Sequence, residues 1–191
     1  MEDKEKVIVA LTKEDLDKMM ANAALVGATV ATDKMTVAFE KKQKEQKDRR
    51  LHNTKLLLKN YRMLKSSCRN AVFEGERVAS VSELMEEIMS MKDDHVIVES
   101  IRRSAIRTET ILKHVDTMLD VYRLYCNKQG DREKRQYKVI RAYYISNEKN
   151  TIQTLAKEFS VSKVTIYDDL KIGEERLSAL LFGVDGLKFF A

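Results

Sequence analysis

Proline and tryptophan are absent from this chain of 191 residues, and glycine occurs only six times. With so few residues that force or permit tight reversals, a densely turned β fold is excluded in favour of an all-α fold built on long helices. Cysteine is almost as scarce. Cys68 and Cys126 supply neither a disulfide framework nor metal-ligand spacing, and both fall on apolar helical stripes where cysteine acts as a small hydrophobe. Long apolar runs are missing too. The most apolar stretches, such as Val7 to Leu11 and Ala21 to Val26, fall far short of the roughly 18 residues of a membrane span. No membrane contact and no apolar leader are expected, and a cytoplasmic location follows as the default.

What the chain does have is charge, 34% of its residues against 43% hydrophobic. The formal net charge of +5 is unevenly distributed: −3 over residues 1–33, +9 over 34–71, −4 over 72–131, +4 over 132–171 and −1 over 172–191. Two basic blocks separated by an acidic one suggest two surfaces that meet an anionic polymer.

Three regions are expected. Residues 1–33 form an N-terminal extension with one short helix, started by Thr12 and Asp15 ahead of Leu16, Met19, Met20, Ala23 and Ala24. Residues 34–129 form a long-helix region. Within it every residue from Glu40 to Arg50 is charged or Gln, so this stretch has no stripe with which to pack. Leu57, Tyr61, Leu64, Cys68 and Ala71 then recur at helical spacing. Ser82 ahead of Leu84, Ile88 and Met91 predicts a short acidic helix ending near Asp93. From Val98 to Cys126 the seam Val98, Ile101, Ala105, Thr108, Leu112, Val115, Leu119, Tyr122 and Cys126 alternates steps of three and four. It serves equally an intramolecular bundle or a homo-oligomer through the 98–126 helix. Gly130 closes that helix and Asp131 caps the next, which sets a domain boundary and leaves 131–191 as a small C-terminal domain.

In that domain Arg132 to Ile145 presents Tyr137, Ile140, Tyr144 and Ile145 on one face, and Asn150 with Gln153 reads as a helix cap. Between Asn150 and Lys171 the spacing is that of a helix-turn-helix. Leu155, Ala156, Phe159, Val161 and Ile166 stand where two crossing helices meet, with Leu170 one turn further in. Ser160 occupies the turn position that favours glycine. Ser162 caps the second helix and leaves Lys163, Val164, Thr165, Tyr167 and Asp168 outward, where such a motif meets the major groove. Lys157, Lys163 and Lys171 are expected to hold phosphates, and Ser162, Thr165 and Tyr167 to face bases or backbone. An ordinary helical hairpin is the alternative for the same spacing.

The run Lys138 to Leu187, with Tyr143-Tyr144-Ile145, Leu155-Ala156, Val161-Ser162-Lys163, Thr165-Ile166-Tyr167-Asp168-Asp169-Leu170 and Leu181-Phe182-Gly183-Val184-Asp185, resembles the ArpU family of phage-encoded transcriptional regulators. The upstream segment Asn53 to Arg62 is similar to the one that opens that family's sequences, so the resemblance covers about residues 50–187. It implies a sequence-specific activator of late phage or prophage genes, with a C-terminal domain similar to sigma factor region 4; the partner is then double-stranded DNA, and activation runs either through contact with RNA polymerase or through replacement of the sigma factor. One residue departs from the pattern. Asp168 stands where the family tends to carry a basic residue, and an acid there either accepts a hydrogen bond from cytosine N4 or faces away from DNA.

Catalytic chemistry has no comparable footing. His52, His95 and His114 lie far apart without a ligand-spaced Glu or Cys, and there is no phosphate loop or nucleophile elbow. No enzyme activity, metal or cofactor is expected. Two other functions fit the same layout: a small terminase subunit that marks viral DNA for packaging, and a helical adaptor that binds a protein partner without touching DNA.

Overall fold

The computed structural model describes residues 12–69, 80–102 and 105–183, and every regular element among them is helical. The stretch Lys6 to Leu11, Ala71, and the segment from Val184 through Asp185 to Leu187 lie outside the described residues. No described helix is long and apolar enough to cross a membrane.

Helix α1, Lys13–Arg69, begins at a reciprocal cap in which the Asp15 N–H donates to Thr12 Oγ1 at 3.2 Å and the Thr12 N–H donates to the Asp15 carboxylate at 3.3 Å. The expected short helix does not stop at residue 33. The chain offers no proline to end it, and the single Gly27 costs only about 1 kcal/mol relative to alanine, too little to break a helix. The chain divides into two compact units between Gln46 and Lys47. In the first, every helical residue from Lys13 to Gln46 is exposed.

The second unit, from Lys47 onward, holds the rest of α1 with α2 (Val81–Ser90), α3 (Asp94–Arg102), α4 (Ala105–Lys128), α5 (Asp131–Ile140), a π-helical turn (Arg141–Ile145), α6 (Ile152–Glu158) and α7 (Lys163–Phe182). Its core takes Leu57, Tyr61 and Leu64 from α1, Leu84 and Ile88 from α2, Ile111 and Tyr122 from α4, and Leu177 and Leu181 from α7. Each fully buried apolar side chain of this size contributes about 1.5–3 kcal/mol relative to exposure. Helix α7 packs on α4, α5 and α6, and α4 and α5 pack on each other across Gly130. The boundary expected at Gly130 is therefore a joint inside one unit, and the division falls instead at residue 46.

The heptad seam is divided between α3 and α4, and its buried members Ile101, Thr108, Leu112, Val115, Leu119, Tyr122 and Cys126 belong to this chain's own core. Ile97 is buried where the seam had Val98, which is only half-buried. Of the two uses open to the seam, these residues serve the intramolecular one.

Several caps lie one or two residues from their expected places. Ser80, not Ser82, caps α2: its hydroxyl accepts from the Glu83 N–H while the Glu83 carboxylate accepts from the Ser80 N–H. That helix ends at Ser90 rather than near Asp93. Gly130 precedes α5 as its cap, donating its N–H to Glu133 at 3.3 Å, and Asp131 is the first helical residue. Thr151 rather than Asn150 caps α6, accepting from the Thr154 N–H at 3.1 Å. Asn150 instead donates its side-chain amide to the Ala142 carbonyl.

Polar contacts fasten α1 to the C-terminal helices. The Arg62 guanidinium donates to the carbonyls of Tyr143, Ser146 and Glu148 at 2.9, 2.5 and 3.2 Å, satisfying groups that the end of the π turn leaves without helical partners. Lys55 pairs with the buried Glu174 at 3.1 Å, and Glu174 accepts from the Tyr144 hydroxyl at 2.6 Å.

Candidate nucleic-acid interface

The turn between α6 and α7 is set by three residues. Phe159 ends α6, the Val161 N–H donates back to the Ala156 carbonyl at 3.0 Å, and the Ser160 N–H donates to the Lys157 carbonyl at 3.2 Å. This paired closure needs a left-handed residue between the two helices, and Ser160 takes it with φ 54°. Leu155 and Ile166 are completely buried, Leu170 is nearly so, and Ala156, Phe159 and Val161 are half-buried around them. All six residues expected in the helix-turn-helix core thus belong to the apolar cluster of this unit or pack against it, and α6 packs on α7.

Ser162 begins α7, its hydroxyl accepting from the Thr165 N–H at 3.0 Å. The Ser162 and Thr165 hydroxyls lie 2.9 Å apart. Because one hydroxyl proton serves that contact, the other remains free to donate outward, whichever way the pair is oriented. Beyond the cap, Lys163, Val164, Tyr167, Asp168 and Lys171 are exposed, and Thr165 is half-buried. Val164 and Tyr167 stand 68% and 60% exposed, large apolar surfaces on a helix whose opposite side holds Ile166 and Leu170. Asp168 shares this outward face with the lysines. Asp169 turns the other way, 1% exposed, and accepts from the Arg135 guanidinium of α5 at 2.7 Å. That hydrogen bond, set against burial, raises the Arg135 guanidinium above its ordinary value.

Lys157 is exposed on α6. Lys157, Lys163 and Lys171 enter no ion pair among the described residues. Beside α6 an open groove of about 770 Å³ is lined by Arg123, Lys134, Lys138 and Arg141 against Glu148 and Glu158. Arg123 and Lys134 are engaged by Asp120 and Asp131, which leaves Lys138 and Arg141 as exposed cations on its wall. These two were not among the expected phosphate contacts, although their i, i+3 spacing places them on one side of a helix.

The second half of α7 is no part of this surface. Gly173, Glu174, Leu177, Ser178 and Leu181 are buried in the bundle, and at Gly173 the backbone of α7 comes so close to Ile140 of α5 that an added Cβ would lie 2.5 Å from Ile140 Cγ1. Nothing among the described residues gathers three His, Cys, Asp or Glu side chains as metal ligands. The histidines are dispersed: His52 meets Asp94 at 2.6 Å and His114 meets the Leu181 carbonyl at 3.0 Å. No protein-family model, curated protein or solved structure matches the chain.

Proposed function

We propose that this chain is a non-enzymatic, sequence-specific DNA-binding regulator of transcription that inserts the N-terminal half of α7 into the major groove. What carries the reading is the split character of α7: Ile166 and Leu170 are buried while Val164 and Tyr167 stand exposed beside Lys163, Asp168 and Lys171. An ordinary hairpin gains nothing from two large apolar side chains left in water between cations, whereas a groove-reading helix uses them against thymine methyl groups and sugars.

In this reading Lys157, Lys163 and Lys171 neutralise phosphates, the free hydroxyl proton of the Ser162/Thr165 pair donates to the backbone, and Lys138 and Arg141 extend the phosphate track along the groove. Phosphate contacts fix affinity and its salt dependence, and base contacts fix sequence choice. Asp168 lies on the outward face and serves as an acceptor for cytosine N4. The resemblance of residues 50–187 to the ArpU regulators supports the finer assignment, an activator of late phage or prophage genes that works with RNA polymerase.

The test is selection of a binding site from random duplexes, followed by titration at several salt concentrations. Lys163→Ala is expected to weaken binding to all sequences alike and to lower the slope of log K against log salt by about 1. An unaltered slope removes Lys163 from the phosphate contacts. If the full-length chain retards no duplex even at low salt, the function proposed here is wrong.

A further inference from the structure

Ahead of the division at Gln46, nine large apolar side chains from Leu16 to Phe39 stand 46–73% exposed on α1. Each helical residue advances about 100° around the axis, so Asn22, Thr29 and Thr36, seven residues apart, form one polar stripe, interrupted only by Leu25. Thr29 and Thr36 turn their hydroxyls back to the Leu25 and Thr32 carbonyls. Asp33 falls within the same stripe, and the remaining surface between Met19 and Phe39, well over half the circumference, is apolar or small, with Lys34 its one charge. A helix that packs on a single neighbour needs a stripe of only about 100°. An arc twice that width fits two neighbours for each helix.

Charge sets the direction of those neighbours. Glu14, Asp15 and Asp17 outnumber Lys13 and Lys18 in the first turns, where Lys18 pairs with Glu14, and Lys41, Lys42 and Lys44 outnumber Glu40 three dozen ångströms or more along the same helix at about 1.5 Å per residue. Parallel copies bring like charges together, while antiparallel copies bring acid to base and also oppose their helix dipoles. In a register centred on Ala28, Glu14 and Asp15 face Lys42 and Lys41, Met19 faces Val37, and Val26 faces Val30. The two helices then overlap over residues 12–44, a length of about 50 Å. If each helix has two neighbours and every neighbour is antiparallel, the number of copies must be even, and four is the smallest that closes.

We propose that residues 12–44 of four copies of this chain associate as an antiparallel four-helix bundle. The occupant of the apolar arc is this chain itself, and the association is independent of the DNA-binding surface on α7.

Light scattering on the full-length chain is expected to give the mass of four 22.1 kDa chains. The double variant Val26→Asp/Val30→Asp is expected to reduce this fourfold to a monomer, because both side chains are exposed within one copy and their replacement leaves the unit beyond Lys47 folded. Orientation is read by mixing Met19→Cys chains with Val37→Cys chains, adding a short bis-maleimide and mapping the linked peptides. Links between positions 19 and 37 support the antiparallel register; links of 19 to 19 or 37 to 37 with none between 19 and 37 overturn it. A wild-type mass of one or two chains overturns the proposal, as does a monomer whose N-terminal helix is protected only by phosphatidylglycerol vesicles.

Discussion

Ser160 holds a backbone conformation that costs an L-residue about 1–2 kcal/mol, and it does so because the turn from α6 to α7 closes through its neighbours' carbonyls. Glycine escapes that cost but gives up about 0.5–1 kcal/mol in unfolded-state entropy. Ser160→Gly is therefore expected to raise the melting temperature by about 1–4 °C, the shift that a net gain of up to 1 kcal/mol produces in a chain of this size; a fall would mean that the serine hydroxyl is needed there. Tyr122 offers a second case. It is completely buried, its hydroxyl finds no hydrogen-bond partner among the described residues, and its ring meets Tyr137 edge-on at 6.0 Å. Tyr122→Phe keeps the ring contact and removes an unsatisfied polar atom, so stability measured by urea titration is expected to stay level or rise by about 1 kcal/mol. A clear loss would reveal a partner for the hydroxyl in solution.

At the level of the element, α7 is two helices in one. Its first half is half-exposed and its second half is anchored against α5, where Gly173 admits Ile140. Gly173→Ala adds a methyl group where Ile140, itself fully buried, cannot swing away. Overpacking of this kind costs about 1–3 kcal/mol and outweighs the helix-propensity gain of about 1 kcal/mol. A lowered melting temperature checks this, and an unchanged one would mean that α5 slides to make room. The wedge of Leu155, Ile166 and Leu170 was legible in the sequence because a buried helix face repeats at fixed spacing. The caps were legible only to within a residue or two, since Ser80 and Ser82, or Asn150 and Thr151, are chemically equal candidates and the three-dimensional path selects between them. Gly173 and the pairs Arg135–Asp169 and Lys55–Glu174 left no local signal. Their partners are far apart in the chain, and only packing brings them together.

For the molecule as a whole, three buried phenols set a limit on the alkaline side. Burial, reinforced by acceptance at Asp116 and Glu174, pushes Tyr61 and Tyr144 well above the ordinary tyrosine value, and burial does the same to Tyr122. A group that holds its proton more tightly when folded gives its full stabilisation below its unfolded value, about 10 for tyrosine, and loses it as the pH rises further. Stability is expected to be insensitive to these groups up to that point and to decline above it. Phenolate absorbance at 295 nm should then appear together with loss of helical circular dichroism; ionisation of all three near pH 10 with the helices intact would contradict their burial. The long-range organisation was the least legible feature, because a seam that faces inward depends on the distant α7 packing on α4.

The rooting of α7 also bears on how the protein can be dissected. A fragment starting at Asp131 would carry all of α5, α6 and α7, yet it would strip α4 and α1 from Leu177, Leu181 and Glu174 and leave an oily, half-neutralised stump. The exposed first half of α7 is a cantilever, and its stiffness comes from the masonry behind it. Losses of binding on truncation, or from substitutions at Lys55 or Arg62, would report a loosened mounting rather than missing contacts with the duplex.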